Sequence, residues 1–116
     1  MTPALCLRIA AVCGFLAVAL GAFGAHALKP LLEQYQRVGT WETAVLYHMF
    51  HTLALLCLAS RPTVPKGAVI CFIVGMCLFS GSLYLLAATN IRWLGAITPL
   101  GGVGFLIGWA WVFFLP

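Results

Sequence analysis

The chain has 116 residues, 64% of them hydrophobic and only 7% charged, with a net charge of +4. Soluble domains carry about a quarter charged residues, so this composition excludes an ordinary water-soluble fold. The six Lys and Arg residues are scattered over the whole length and form no basic patch, which excludes nucleic acid as a partner.

A membrane-spanning helix needs about 20 apolar residues, and four such stretches with short loops account for nearly the whole chain. The expected fold is therefore all-α: an integral membrane four-transmembrane-helix bundle, a single membrane domain over residues 1–116. The lipid bilayer is its expected partner.

The first span is expected over about residues 5–28. Its start resembles a signal peptide, but the apolar run is too long and three more follow, so it reads as a retained helix. Arg8 lies one turn inside and can snorkel to the headgroups. Lys29 and Pro30 stop the helix. Ala17, Gly21 and Ala25 recur every four residues, a stripe on which another helix can pack closely.

Residues 30–38 are the only extended polar stretch. Leu31, Leu32, Tyr35 and Val38 share a face, while Glu33, Gln34 and Arg37 lie away from it, which predicts a short interfacial amphipathic helix. Gly39 is expected to end it and Thr40 to cap the second span, with Glu42 in the first turn.

The remaining spans are expected at about 41–59, 67–88 and 93–115. Pro99 lies near the start of the fourth, and Gly101, Gly104 and Gly108 run along it. With Gly81 in the third span, these are the expected packing positions, and the same glycine-rich faces leave a homo-oligomer open. Cys6, Cys13, Cys57, Cys71 and Cys77 lie in apolar segments without a CxxC, so they read as small core residues, not as disulfides or metal ligands. The pairing of Arg61 and Lys66 in one short loop favours termini in the cytosol.

Threading the spans up and down gathers the polar side chains at one end. His26 closes the first span, Glu42, Tyr47, His48 and His51 occupy the first half of the second, Tyr84 and Asn90 close the third, and Thr98 opens the fourth. His48 and His51, three residues apart, point to similar sides of their helix. Polar residues at that depth face the bundle interior or a wet cavity. His26 and His51 are thus expected in one leaflet, turned inward.

Three readings follow. Histidines on two helices can bind a transition metal or haem; they can carry a proton or solute together with Tyr84; or they can stay neutral and hydrogen-bond neighbouring helices, the commonest case. No acidic or thiol side chain is placed as an obvious further ligand, so no cofactor is expected, and whether a metal binds stays open. Trp41 and Trp93 read as one aromatic belt, and Trp109, Trp111, Phe113 and Phe114 as the other. No nucleophile, base and oxyanion donor form a unit, which argues against an enzyme.

Four motifs carry a family resemblance across the whole chain. They are Gly21-Ala-Phe-Gly-Ala-His26-Ala-Leu28, Trp41-Glu-Thr-Ala-Val-Leu-Tyr-His-Met-Phe-His51, Leu78-Phe-Ser-Gly-Ser-Leu-Tyr84, and Ile97-Thr-Pro-Leu-Gly-Gly102 with Gly108-Trp109. Together they resemble the YgdD-like family of small bacterial inner-membrane proteins, which has a similar mitochondrial membrane protein in animals. The resemblance implies a four-helix fold in the inner (plasma) membrane and supplies no catalytic residues. His26 and His51 match the family pattern, whereas His48 stands where relatives can carry glutamine, which disfavours a site needing all three histidines. The function expected is structural or accessory and non-enzymatic; the alternative is a small transporter or channel with a polar vestibule in one leaflet.

Overall fold

In the computed structural model, which describes residues 1–116, each long apolar run forms a helix. Helix α1 spans Pro3–Ala25, α3 spans Val38–Ala59 and α4 spans Lys66–Thr89, with the short α2, Lys29–Gln34, between the first two. A 3-10 turn, Arg92–Ala96, leads into α5, Thr98–Phe113. Four segments are long and apolar enough to cross a membrane: α1, α3, α4 and the combined Arg92–Phe113.

Local chemistry fixes the helix ends. Thr2 caps α1, its hydroxyl accepting from the Leu5 N–H at 3.1 Å, and Pro3 occupies the first helical position, where no N–H is required. The end of α2 is set by Gln36, which takes a left-handed conformation (φ 55°). The Arg37 N–H then reaches back to the Leu32 carbonyl at 2.8 Å and the Gln36 N–H to Glu33 at 3.1 Å, a Schellman closure. This corrects the expected boundary. Gly39 and Thr40 lie inside α3, Arg37 is its N-terminal flank, and no side chain caps it. Asn90 (φ 56°) ends α4 in the same left-handed way, a conformation short polar side chains tolerate.

The fourth span is not one continuous α-helix. Pro99 cannot donate a backbone hydrogen bond, and its ring would crowd the carbonyl four residues back, so the α-helix begins at Thr98. The sixteen residues of α5 reach only about 24 Å, short of a hydrocarbon core about 30 Å thick. The 3-10 turn supplies the rest.

Neighbouring helices run antiparallel, α1 against α3, α3 against α4 and α4 against α5, in a slab 48 × 26 × 16 Å. One core cluster holds Cys6, Leu55, Phe72, Met76 and Phe105. A smaller one, at the α2 end, holds Leu32, Trp41 and Ala87.

Close approach rests on glycines. A Cβ on Gly101 would strike the Phe79 backbone, one on Gly104 would lie 3.3 Å from the Gly75 Cα, and one on Gly108 2.6 Å from the Phe72 ring. On α1, Gly21 faces Val45 of α3 at 3.4 Å, and Ala17 is fully buried. These glycine contacts are made between helices of one chain. Two expected packing positions are corrected. Gly81 meets nothing within 4 Å, and Ala25 is exposed on the rim of a groove between α1 and α3 instead of packed against α3.

Gly101→Ala should destabilise the protein by about 1–3 kcal/mol, since backbone and not a flexible side chain must yield. Gly81→Ala should be neutral or stabilising by up to about 1 kcal/mol, the helix-propensity gain. Thermal unfolding in detergent checks both.

Candidate functional site

His51 occupies the centre of the polar arrangement. It lies thirteen residues beyond Val38, about 20 Å along α3 and past its midpoint. Its Nδ1 sits 2.8 Å from the Tyr47 carbonyl one turn back. Its Nε2 accepts from the Trp109 indole of α5 at 3.1 Å. Indole N–H can only donate and a carbonyl can only accept. The pair of contacts therefore selects the neutral imidazole with its proton on Nδ1. The ring stacks on Phe105, centroids 3.6 Å apart and planes 7° from parallel, and only 3% of the residue is exposed.

His48 serves a different seam. Its Nδ1 is 2.9 Å from the Tyr84 hydroxyl of α4. Ser80 of α4 donates to the Ala44 carbonyl of α3 at 2.8 Å. Thr52 turns its hydroxyl to the His48 carbonyl at 2.8 Å. Between α4 and α5, Ser82 and Thr98 share a 2.6 Å hydrogen bond at the point where the fourth span restarts. At the α2 end, the Arg37 Nε donates to the Asn90 Oδ1 at 3.2 Å, tying the two left-handed turns together.

The residues expected to meet in one vestibule are thus distributed over separate helix contacts. His26 is the clearest correction: α1 stops at Ala25, so His26 is its C-terminal flank and is exposed. It neither faces inward nor shares a layer with His51. No group of three His, Cys, Asp or Glu side chains converges as a metal would require. Glu42 is exposed, and so is Tyr47.

Two residues read as interfacial belt are interhelical donors. Trp41 is 5% exposed and gives its indole N–H to the Leu20 carbonyl of α1 at 2.9 Å, with Gly24 making room for the ring. Trp109 serves His51. For Trp41 the available signal was a glycine on the neighbouring helix, since Gly24 lies beneath its ring.

Two grooves flank the exposed ridge of α3, where Leu46 lines both and is 63% exposed. The α1–α3 groove encloses about 630 Å³ over Ala17, Gly21, Val45 and Met49, with Lys29 and Glu42 also on its wall. The α3–α5 groove, about 690 Å³, is aromatic, lined by Tyr47, Phe50, His51, Phe79 and Trp109.

A family described as "Protein of unknown function (DUF423)" matches residues 20–102, a stretch that includes His51, Tyr84 and Thr98. The chain belongs to this family. Its members include the UPF0382 membrane protein YwdK of Bacillus subtilis, 46% identical over 108 residues, covering 87% of this chain and 86% of that protein. The UPF0382 inner membrane protein YgdD of Escherichia coli K12 is 44% identical over 117 residues, covering 95% and 87% respectively. The UPF0382 membrane protein SH2409 of Staphylococcus haemolyticus is 44% identical over 107 residues, covering 87% and 85%. No solved structure matches. With its four spanning helices, the chain is, like its DUF423 relatives, an integral protein of the bacterial inner (plasma) membrane.

A double-mutant cycle with His51→Phe and Trp109→Phe should give a coupling of at least about 0.6 kcal/mol, the average for hydrogen bonds between membrane helices, and at most about 1.7. Reversible unfolding in mixed micelles measures it.

Proposed function

We propose that this protein is a non-enzymatic accessory component of the membrane, a compact helical scaffold whose intramembrane polar side chains bind its own helices together. The observation that carries this reading is the double engagement of His51: Tyr47 carbonyl at Nδ1 and Trp109 indole at Nε2. A histidine so held has no free lone pair for a metal and no free site for a passing proton. His48 contributes to the seam with α4 in the same manner through Tyr84. The termini are proposed to face the cytosol, on the strength of Arg61 and Lys66 in the α3–α4 loop.

A second reading, a small transporter, has one specific feature in its favour. The fourth span is interrupted at Ile97–Pro99, and interrupted spans recur at transporter binding sites. Against it, the hydroxyl exposed by the break is already shared between Thr98 and Ser82.

Proteoliposomes carrying the purified protein and a pH-sensitive dye distinguish the two. The scaffold reading predicts proton leak under an imposed gradient equal to that of empty vesicles, and no change with His51→Gln. A protein-dependent leak that His51→Gln or Tyr84→Phe abolishes would overturn it.

A further inference from the structure

The α1–α3 groove is a different feature from the hydrogen-bonded seams, and its shape and charge identify an occupant. It opens sideways between Val18 and Leu46, both more than 60% exposed, so whatever fills it enters from the bilayer. Its α2 end carries one cation, Lys29, and one anion, Glu42. Both are exposed, and no carboxylate in the molecule forms an ion pair with a basic side chain.

The groove's length decides between a lipid and a helix. Along α1 it runs from Ala25 to Ala17, and along α3 from Glu42 to Met49. At 1.5 Å per residue these stretches are about 12 and about 10 Å. That is close to one leaflet, half of a core about 30 Å thick. A spanning helix of a partner or of a second copy would need a groove through both leaflets. An acyl chain needs only this one, and the charged rim stands where its headgroup lies.

We propose that this groove holds one phospholipid with a zwitterionic, primary-ammonium headgroup, its phosphate on Lys29, its ammonium on Glu42, and one acyl chain over Gly21, Val45 and Met49. The lysine ammonium supplies three donors to phosphate oxygens, and the carboxylate accepts from a headgroup N–H. A choline headgroup has no N–H to give Glu42. A glycerol headgroup leaves the carboxylate without a cation. The small side chains of Ala17 and Gly21 keep the floor open.

The test uses the full-length protein in nanodiscs of equal parts phosphatidylethanolamine, phosphatidylcholine and phosphatidylglycerol, followed by gentle detergent release and native mass spectrometry. One phosphatidylethanolamine per chain should be retained, favoured by about threefold or more over the other two, the discrimination one partly exposed ion pair can supply. Glu42→Gln should erase the preference over phosphatidylcholine, and Lys29→Gln should weaken retention of all three lipids. Ala25→Leu, at an exposed position on the rim, should block retention while leaving the thermal transition unchanged. Equal retention of the three lipids by the wild type would overturn the proposal. So would a preference that survives Glu42→Gln, or a lipid-free dimer in place of the lipid-bound chain.

Discussion

A polar group in hydrocarbon has no water to fall back on, and leaving one unpaired costs several kcal/mol. That constraint organises this molecule, and it acts most sharply at His51. The imidazole is held at both ends, by its own helix through the Tyr47 carbonyl and by α5 through the Trp109 indole, and clamped by the Phe105 ring. Hydrogen bonds from α3 to the other spans follow the same logic. Trp41 joins α3 to α1, His48 and the Ala44 carbonyl join it to α4, and His51 joins it to α5. Each spanning segment is thus fastened to one helix by a directional bond in a medium where apolar surface alone gives no preference for protein over lipid.

These bonds depend on backbone approach. An indole reaches the Leu20 carbonyl because Gly24 leaves room for the Trp41 ring, and α5 comes within reach of His51 because Gly101, Gly104 and Gly108 let it lie against α4. Glycine and hydrogen bond are therefore parts of one device. The glycines set the spacing, the aromatic rings fill what remains, and the polar atoms choose the register. The chain is also economical in its exposed chemistry: Lys29 and Glu42 stand outside this network, which is why they remain available to the bilayer.

The helical class and four spans were legible because apolar runs of spanning length admit no other solution in a bilayer. The small-residue pattern also picked out the contacts at Ala17, Gly21, Gly101, Gly104 and Gly108. Three things were not legible. A glutamine in the left-handed region at Gln36 outweighed the more obvious stop at Gly39, and that moved the start of α3 and carried His51 past mid-span. His26 looked intramembrane only while α1 was extended to residue 28; with the helix ending at Ala25 it is a flank residue. Trp41 and Trp109 looked like belt because tryptophan usually sits at the interface, and nothing in a linear pattern says that an indole will be the donor across a seam. Ser80 and Ser82, inside the third family motif, pair with Ala44 and Thr98.

The helix contacts centre on one chemical state, the neutral His51 ring with its proton on Nδ1 and its Nε2 accepting from Trp109. Nitrogen-15 magnetic resonance of the histidine-labelled protein in bilayers reads that state directly. At neutral pH the His51 Nδ1 resonance should be of the protonated, pyrrole-like type and the Nε2 resonance of the unprotonated type, with the Nε2 signal shifting in Trp109→Phe. A His51 ring carrying its proton on Nε2, or an Nε2 signal indifferent to Trp109→Phe, would contradict that state.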